Sequence, residues 1–349
     1  MRPLTARVLA APETVSSLGP DAWTDLILEA RDTGLLGRLG ARLARHGLLD
    51  QVPHAPRRHL DGMARFAAKQ HSDVMAEVRR IRDVFGAYGL PVVLMKGAAY
   101  IATDSPAAEG RTFEDIDLLV PEARIAEAET ALTAAGWTRP ALTPHDSRYY
   151  YEWMHQIPPL VHRERGSLVD VHHNIVPRTA APRIDGRDLL AHAEATPEPG
   201  VYALAETDLV IHSAAHLLNE GDFTNGLRDL SDLDLLLRRL LRADPELVEL
   251  RRRAKALGFE HPVQWALWLV QETCGTPVGA ANAASRGLVD EAMLASFRRA
   301  ISPGAHLGAV SARAALYVRG HLLKMPMRLL VPHLLMKATR ALGHEKAAG

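Results

Sequence analysis

The stretch 90–120, LPVVLMKGAAYIATDSPAAEGRTFEDIDLLV, contains two short apolar runs separated by a helical turn and a polar loop. The first run, LPVVLMKG, is rich in β-branched residues and is bounded by Pro91 and Gly97, which predicts a buried strand. The second run, EDIDLLV, alternates polar and apolar residues as a half-buried strand does. A helical segment, PEARIAEAETALTAAGW, follows it. This order of elements predicts a small β-sheet with helices around it.

Two carboxylates fall on one face of the second predicted strand. Because side chains alternate along a strand, Asp115 and Asp117 point to the same side, and Ile116, Leu118 and Val120 face the core. Two carboxylates held side by side repel each other unless a divalent cation lies between them. Magnesium-dependent phosphoryl and nucleotidyl transfer both use this arrangement, and in two-metal sites the ions stand roughly 3.5–4 Å apart. The simpler alternative is a surface strand end that carries two solvated acids.

More polar residues stand at the ends of neighbouring elements. Lys96, Gly97 and Ala98 lie where the first strand passes into a helix, and a glycine there allows a phosphate to approach the backbone and the helix start. Downstream, the run LVDVH predicts another strand with Asp170 between two valines. We expect Asp170 to supply a third carboxylate, and the alternation points His172 in the same direction.

Helical patterns occupy both sides of this segment. From Pro20 to about Gly89 apolar residues recur at i, i+3, i+4 and i+7 spacing, first at Trp23, Leu26, Ile27 and Ala30. From about Leu189 onward the pattern is helical to the end of the sequence. The sequence therefore predicts an α+β fold, with an N-terminal helical region over 1–89, a core with a small mixed sheet over 90–180, and a C-terminal helical region over 181–349.

Composition excludes several classes of protein. The 349 residues correspond to about two domains by length, and 47% hydrophobic residues can fill a core, which excludes a disordered chain. Lys plus Arg and Asp plus Glu number 41 each, so nucleic acid and anionic membranes are not expected as the main partner. The one cysteine excludes an internal disulfide and a thiolate zinc cage, and no run approaches the roughly 18 apolar residues of a membrane span. A cytoplasmic protein is expected.

The ordered set of a strand ending in Lys-Gly, an Asp-x-Asp strand, a helix and a carboxylate strand resembles the palm of the nucleotidyltransferase superfamily that includes DNA polymerase beta. More narrowly, VLMKGAAY, EGRTFEDIDLLVP, AAGW and LVDVHHNI resemble a family of uncharacterised bacterial nucleotidyltransferases. The resemblance is specific over about 90–177. It extends more weakly to the helical flanks, where an H-x-x-x-H and an Arg-Asp-x-x-Asp of the family match His212, His216, Arg228, Asp229 and Asp232.

Two features depart from the superfamily pattern. Ala98 stands where a Ser or Gly is usual, and the gap between Ala98 and Asp115 is longer than usual. A longer loop costs little entropy, so the site can still close.

The resemblance implies a Mg²⁺-dependent enzyme, with Mn²⁺ as a possible substitute, that transfers NMP from an NTP to a hydroxyl acceptor. The expected donor is ATP, and the acceptor is a small molecule, a peptide or a protein. The catalytic and metal-binding residues that it implies are Asp115, Asp117 and Asp170, the last joining the metal or acting as a base. The implied nucleotide-binding residues are Lys96, Gly97, Ala98 and Arg111, of which Lys96 and Arg111 offset the phosphate charge.

The residues leave alternatives open. Lys96 can be an ordinary exposed lysine, and Arg111 can pair on the surface with Glu109 or Glu114. A catalytically silent binding or maturation partner with the same fold is one alternative function. A metallohydrolase centred on His212 and His216 is another, although no adjacent His-Asp pair occurs in that helix.

Overall fold

Seven strands form one mixed β-sheet in the computed structural model, which describes residues 2–282 and 284–330. The strands are β1 (Val92–Leu94), β2 (Ile116–Leu119), β3 (Trp137–Thr138), β4 (Leu160–His162), β5 (Leu168–His172), β6 (Glu194–Ala195) and β7 (Val201–Ala203). Their order in the sheet is β3-β4-β5-β2-β1-β7-β6. At its centre, β2 pairs antiparallel with β1 and parallel with β5, which brings two non-consecutive segments of the chain together.

Along the chain, helices precede the strands, stand between them and follow them. Four precede β1: α1 (Leu4–Ala10), α2 (Pro20–Asp32), α3 (Leu36–Arg45) and α4 (His54–Gly86). Four stand between strands: α5 (Lys96–Ala102), α6 (Ile125–Ala134), α7 (Pro144–Arg148) and α8 (Gly186–Ala191). Among the described residues six follow β7: α9 (Glu206–Asn219), α10 (Gly226–Ala243), α11 (Val248–Leu257), α12 (Glu260–Cys274), α13 (Leu288–Ala300) and α14 (Leu307–Lys324). The α+β fold predicted from the sequence is confirmed.

The N-terminal helices bury the stripe that the spacing predicts. Trp23, Leu26, Ile27 and Ala30 of α2 are all buried, because a spacing of three and four residues places them on one face of the helix. They belong to a hydrophobic cluster built from the N-terminal helices, separate from the main core. The N-terminal helices thus form a small hydrophobic core of their own.

The sheet extends further along the chain than the sequence predicted. The prediction of uninterrupted helix after about Leu189 is wrong, since β6 and β7 lie within that region. Both strands are too short to show an alternating pattern, and β7 is held by its parallel pairing with β1. The main core is continuous from α4 across the sheet to α14. The division into 1–89, 90–180 and 181–349 stays a prediction, and residues 331–349 lie outside the described residues.

Within the part of the chain that the structure describes, no helix has both the length and the apolar character needed to cross a bilayer.

Candidate active site

The pairing of β2 with β5 brings two carboxylates together. In the parallel register Asp117 lies opposite Asp170, and Leu119 lies opposite His172. One oxygen of Asp117, one oxygen of Asp170 and one ring nitrogen of His172 lie within 4.8 Å of one another. Directly paired residues on adjacent strands point to the same face, so this proximity follows from the register. The sheet therefore presents a compact Asp/Asp/His cluster.

Asp117 is buried and has two polar partners in the cluster region. Its side chain is 2% exposed, and its Oδ1 accepts a hydrogen bond from Lys96 Nζ at 2.7 Å and lies 2.9 Å from His172 Nε2. Burial alone would raise the pKa of Asp117, but the Lys96 charge and the His172 hydrogen bond hold it well below its ordinary value. Asp117 is therefore an anion at neutral pH.

Asp170 and His172 both carry a polar atom that has no partner in the described part of the chain. Asp170 Oδ2 accepts a hydrogen bond from Gln156 Nε2 at 3.1 Å, whereas its Oδ1 is buried and unpaired. His172 Nδ1 is buried and unpaired as well. Burial and the Asp117 charge raise the pKa of Asp170. Buried polar groups are normally satisfied, so unpaired oxygen and nitrogen atoms beside an anionic carboxylate fit a bound divalent cation.

Asp115 stands outside this three-residue group. It precedes the first residue of β2, where strand alternation no longer fixes its direction. Burial, followed by the Asp117 charge, raises the pKa of Asp115 to about 7. Asp115 is therefore close enough to interact with the cluster electrostatically, and His172 is the third member of the group beside Asp117 and Asp170. The metal-binding role expected for Asp115 stays a prediction. The Asp-x-His spacing in β5 was the sequence signal for His172, because strand alternation places it on the same face as Asp170.

The first three residues of α5 are Lys96, Gly97 and Ala98, and each has a different structural role. Lys96 has a φ of +43°, and its side chain is 27% exposed and paired with Asp117. A Cβ on Gly97 would lie 2.1 Å from the Phe113 ring, so the glycine allows this ring to pack across the helix start. Ala98 is buried in the main core. Gly97 is therefore required because the Phe113 ring packs directly against its Cα. No sequence pattern suggested this contact.

Arg111 belongs to a buried ion-pair network. Its Nε lies 2.6 Å from Asp232 Oδ2, and Arg38 Nη1 lies 2.6 Å from Asp232 Oδ1. The surface pairing of Arg111 with Glu109 or Glu114 is wrong, because Asp232 of α10 comes within reach only in the folded chain. No sequence pattern pointed to Arg38.

The loop that carries Arg111 is fixed by α4. The Gln70 side-chain amide hydrogen-bonds both backbone groups of Phe113, donating to its carbonyl and accepting from its N–H at 2.8 Å. His71 Nε2 lies 2.9 Å from the Arg111 carbonyl oxygen. These contacts position the chain just before Asp115, and no motif in the sequence pointed to them.

A polar pocket of about 330 Å³ joins the cluster to the C-terminal helices. Its lining includes Lys96, Asp115, Asp117, His212, Ser213, His216, Arg228 and Asp229. Burial, and then the Lys96 charge, lower the pKa of His212 well below its ordinary value, so it is neutral. In the described residues, His212 and His216 have no third ligand that would complete a metal group. The helical motifs therefore form a wall of the same pocket, and a separate His-centred site is not seen there.

No curated protein and no solved structure matches the chain. The model of an uncharacterised nucleotidyltransferase family matches residues 19–275, which includes the N-terminal stripe, the sheet and the helices α9 to α12. The matched range contains the motifs on β1, β2 and β5 that carried the resemblance. The resemblance seen in the sequence is therefore confirmed. The chain belongs to this family of nucleotidyltransferases.

Proposed function

We propose that the protein is a Mg²⁺-dependent nucleotidyltransferase that transfers NMP from an NTP to a hydroxyl on a small molecule, a peptide or a protein. Mn²⁺ is a possible substitute for Mg²⁺, and ATP is the expected donor. The observation that carries the proposal is the pair of Asp117 and Asp170 in register on parallel strands, with a buried unpaired oxygen on Asp170. Family membership supports a role in nucleotidyl transfer.

Asp117 and Asp170 would hold the metal, with His172 beside them. A divalent ion bound there would polarise the α-phosphate and offset the charge that develops on it. Lys96 keeps Asp117 ionised, and the polar pocket accepts the triphosphate next to Lys96 and Arg228. Arg111 is engaged by Asp232 and holds the pocket wall in place.

The proposed reaction transfers the nucleotidyl group from the NTP to the acceptor hydroxyl in one displacement at the α-phosphorus. The acceptor oxygen forms a bond to the α-phosphorus, the bond from that phosphorus to the bridging oxygen breaks, and pyrophosphate leaves. The hydroxyl proton passes to Asp170, which burial and the Asp117 charge make a better proton acceptor than an exposed carboxylate. Water would compete with the acceptor, so the products to look for are pyrophosphate and an NMP adduct.

The first experiment measures nucleotide binding. At a ligand concentration about 100 times Kd, MgATP should stabilise the native state by about 2.7 kcal/mol, which a thermal-shift assay detects. The shift should disappear in Asp117→Asn and persist in Asp73→Asn, an exposed carboxylate on α4. Screening the four NTPs for pyrophosphate release then identifies the donor.

Each remaining outcome points to another function. The absence of a shift with any nucleotide, with Mg²⁺ or Mn²⁺ present, would refute the proposal and favour the silent partner. Release of inorganic phosphate from a phosphomonoester, lost in a His212→Ala/His216→Ala variant, would favour the hydrolase.

A further inference from the structure

Lys96 has a backbone conformation that is unusual for its residue type. Its φ of +43° lies in the left-handed region, which glycine adopts freely and side-chain-bearing residues rarely adopt. The neighbouring Gly97 does not have a positive φ. A turn that only had to redirect the chain from β1 into α5 would be easiest with glycine at position 96. Strained backbone of this kind persists where the surrounding structure holds it, often at functional sites, which points to a use for the lysine side chain.

The side chain places its ammonium group on a carboxylate of the cluster. Lys96 Nζ lies 2.7 Å from Asp117 Oδ1, and the same oxygen lies 2.9 Å from His172 Nε2. A lysine amine held at hydrogen-bond distance from a buried carboxylate is an ammonium ion at neutral pH. One positive charge is therefore built into the cluster by the chain itself.

This contact limits how many metal ions Asp117 can bind. In a two-metal site the ions stand about 3.5–4 Å apart, and a shared carboxylate offers one oxygen to each. Here Oδ1 of Asp117 already has Lys96 and His172 as partners, which leaves Oδ2 for a metal. Asp170 has one unpaired oxygen, Oδ1, and its other oxygen accepts from Gln156. Asp115 lies outside the three-residue group. Between Asp117 and Asp170, the oxygens that remain suffice for one ion.

We propose that the Lys96 ammonium takes the place of one of two divalent ions, so that the site binds a single divalent ion between Asp117 and Asp170. The inference rests on the proposed function, because it concerns the metal centre of the same site. It assigns Lys96 a role other than binding the triphosphate, the role that the family resemblance implies for it. Arg228 and Arg111 also line the pocket and are the cations left for that task.

Electron paramagnetic resonance of Mn²⁺ tests the proposal directly. The protein is saturated with Mn²⁺ and α,β-methylene-ATP, an analogue that cannot transfer its nucleotidyl group. We expect one bound Mn²⁺ per chain in the cluster, with the six-line spectrum of an isolated ion. Lys96→Met, which keeps the length of the side chain and removes the charge, should bind two, with the exchange-coupled spectrum of ions a few ångströms apart. Lys96→Arg should stay at one, because the cation is retained.

Controls keep the result interpretable. Lys69→Met, at an exposed lysine on α4, should bind the same number of ions as the wild type, and circular dichroism should show that each variant is folded. A coupled pair of ions in the wild type would overturn the proposal, since Lys96 would then have moved away from Asp117. A folded Lys96→Met that still binds one ion would overturn it too.

The outcomes also separate this inference from the proposed function. If the ion counts are one and two as expected but no NTP yields pyrophosphate, only the proposed function fails. If transfer occurs and the wild type contains two coupled ions, only the single-ion inference fails. A folded wild type that binds no Mn²⁺ in the cluster contradicts both.

Discussion

The buried ion pairs around Asp232 allow a quantitative prediction. Asp232→Asn keeps the shape of the side chain and removes its charge, which leaves Arg38 and Arg111 without a counter-ion. The side chains of Asp232, Arg38 and Arg111 are only 3%, 5% and 11% exposed, so water cannot replace the lost partner. Breaking a buried pair by removing one member costs about 3–5 kcal/mol. We therefore expect Asp232→Asn to lower the free energy of unfolding by about that amount.

The assay is thermal and urea-induced unfolding followed by circular dichroism. If the protein unfolds as one unit, an unfolding entropy of about 2 cal/mol/K per residue converts this loss into a fall in Tm of about 4–7 °C. Asp73→Asn is the matched control, since Asp73 pairs with Lys69 on an exposed helix face. Removing that pair should cost about 0.5 kcal/mol or less.

A third variant tests the physical reason. Arg38→Met, Arg111→Met and Asp232→Leu together replace the charged network with apolar groups, and such replacements are often neutral or stabilising. We expect this triple variant to regain most of the stability that Asp232→Asn loses. The reasoning is refuted if Asp232→Asn unfolds within about 0.5 kcal/mol of Asp73→Asn, because the network would then contribute no more than a surface pair.

Three further predictions concern the carboxylates of the site. Asp117→Asn should abolish Mn²⁺ binding and nucleotidyl transfer while the far-ultraviolet circular dichroism stays unchanged; transfer at the wild-type rate would show that the chemistry lies elsewhere. Asp170→Asn should lower kcat by at least about tenfold more than it weakens nucleotide binding, if Asp170 accepts the proton of the acceptor, and steady-state kinetics beside a titration of the nucleotide analogue measure the two effects. In the absence of metal, the pKa of Asp115, about 7 in the folded protein, lies above its unfolded value of about 3.9, so its contribution to stability is full below about pH 4 and lost above about pH 7. Urea unfolding with a chelator present should therefore show that the stability gained by Asp115→Asn grows between these pH values, and a constant difference would contradict the raised pKa.

Local sequence pattern predicted the elements whose signal is contained in a few neighbouring residues. The runs around Val92–Leu94, Ile116–Leu119 and Leu168–His172 are strands because β-branched and alternating residues are bounded by turn formers. The helix at Trp23 was predictable for the same reason, since one turn of helix determines which residues share a face. Val201–Ala203 was missed because it has a single β-branched residue and is not part of a longer β-branched run, and the parallel pairing with β1 determines its conformation.

Contacts between distant parts of the chain were beyond such patterns. The sequence identified Asp117 and Asp170 as site residues, and the register of two strands decides that they are neighbours. It also identified Arg111 and Asp232 without connecting them, because 121 residues separate the two. Arg38 and Gln70 resemble ordinary helix residues until the folded chain shows that they contact Asp232 and the loop before β2.

The parallel pairing of β2 with β5 also has a kinetic consequence. Asp117 and Asp170 are 53 residues apart in the chain, so the cluster exists only after a long connection has closed and the strands have settled into register. A chain that has formed its helices but not this pairing presents separated acids with little affinity for a metal ion. Metal binding would then stabilise the native state after the rate-limiting step of folding has passed. The ion would slow unfolding and leave the folding rate nearly unchanged, which makes occupancy of the site a determinant of how long the folded protein survives.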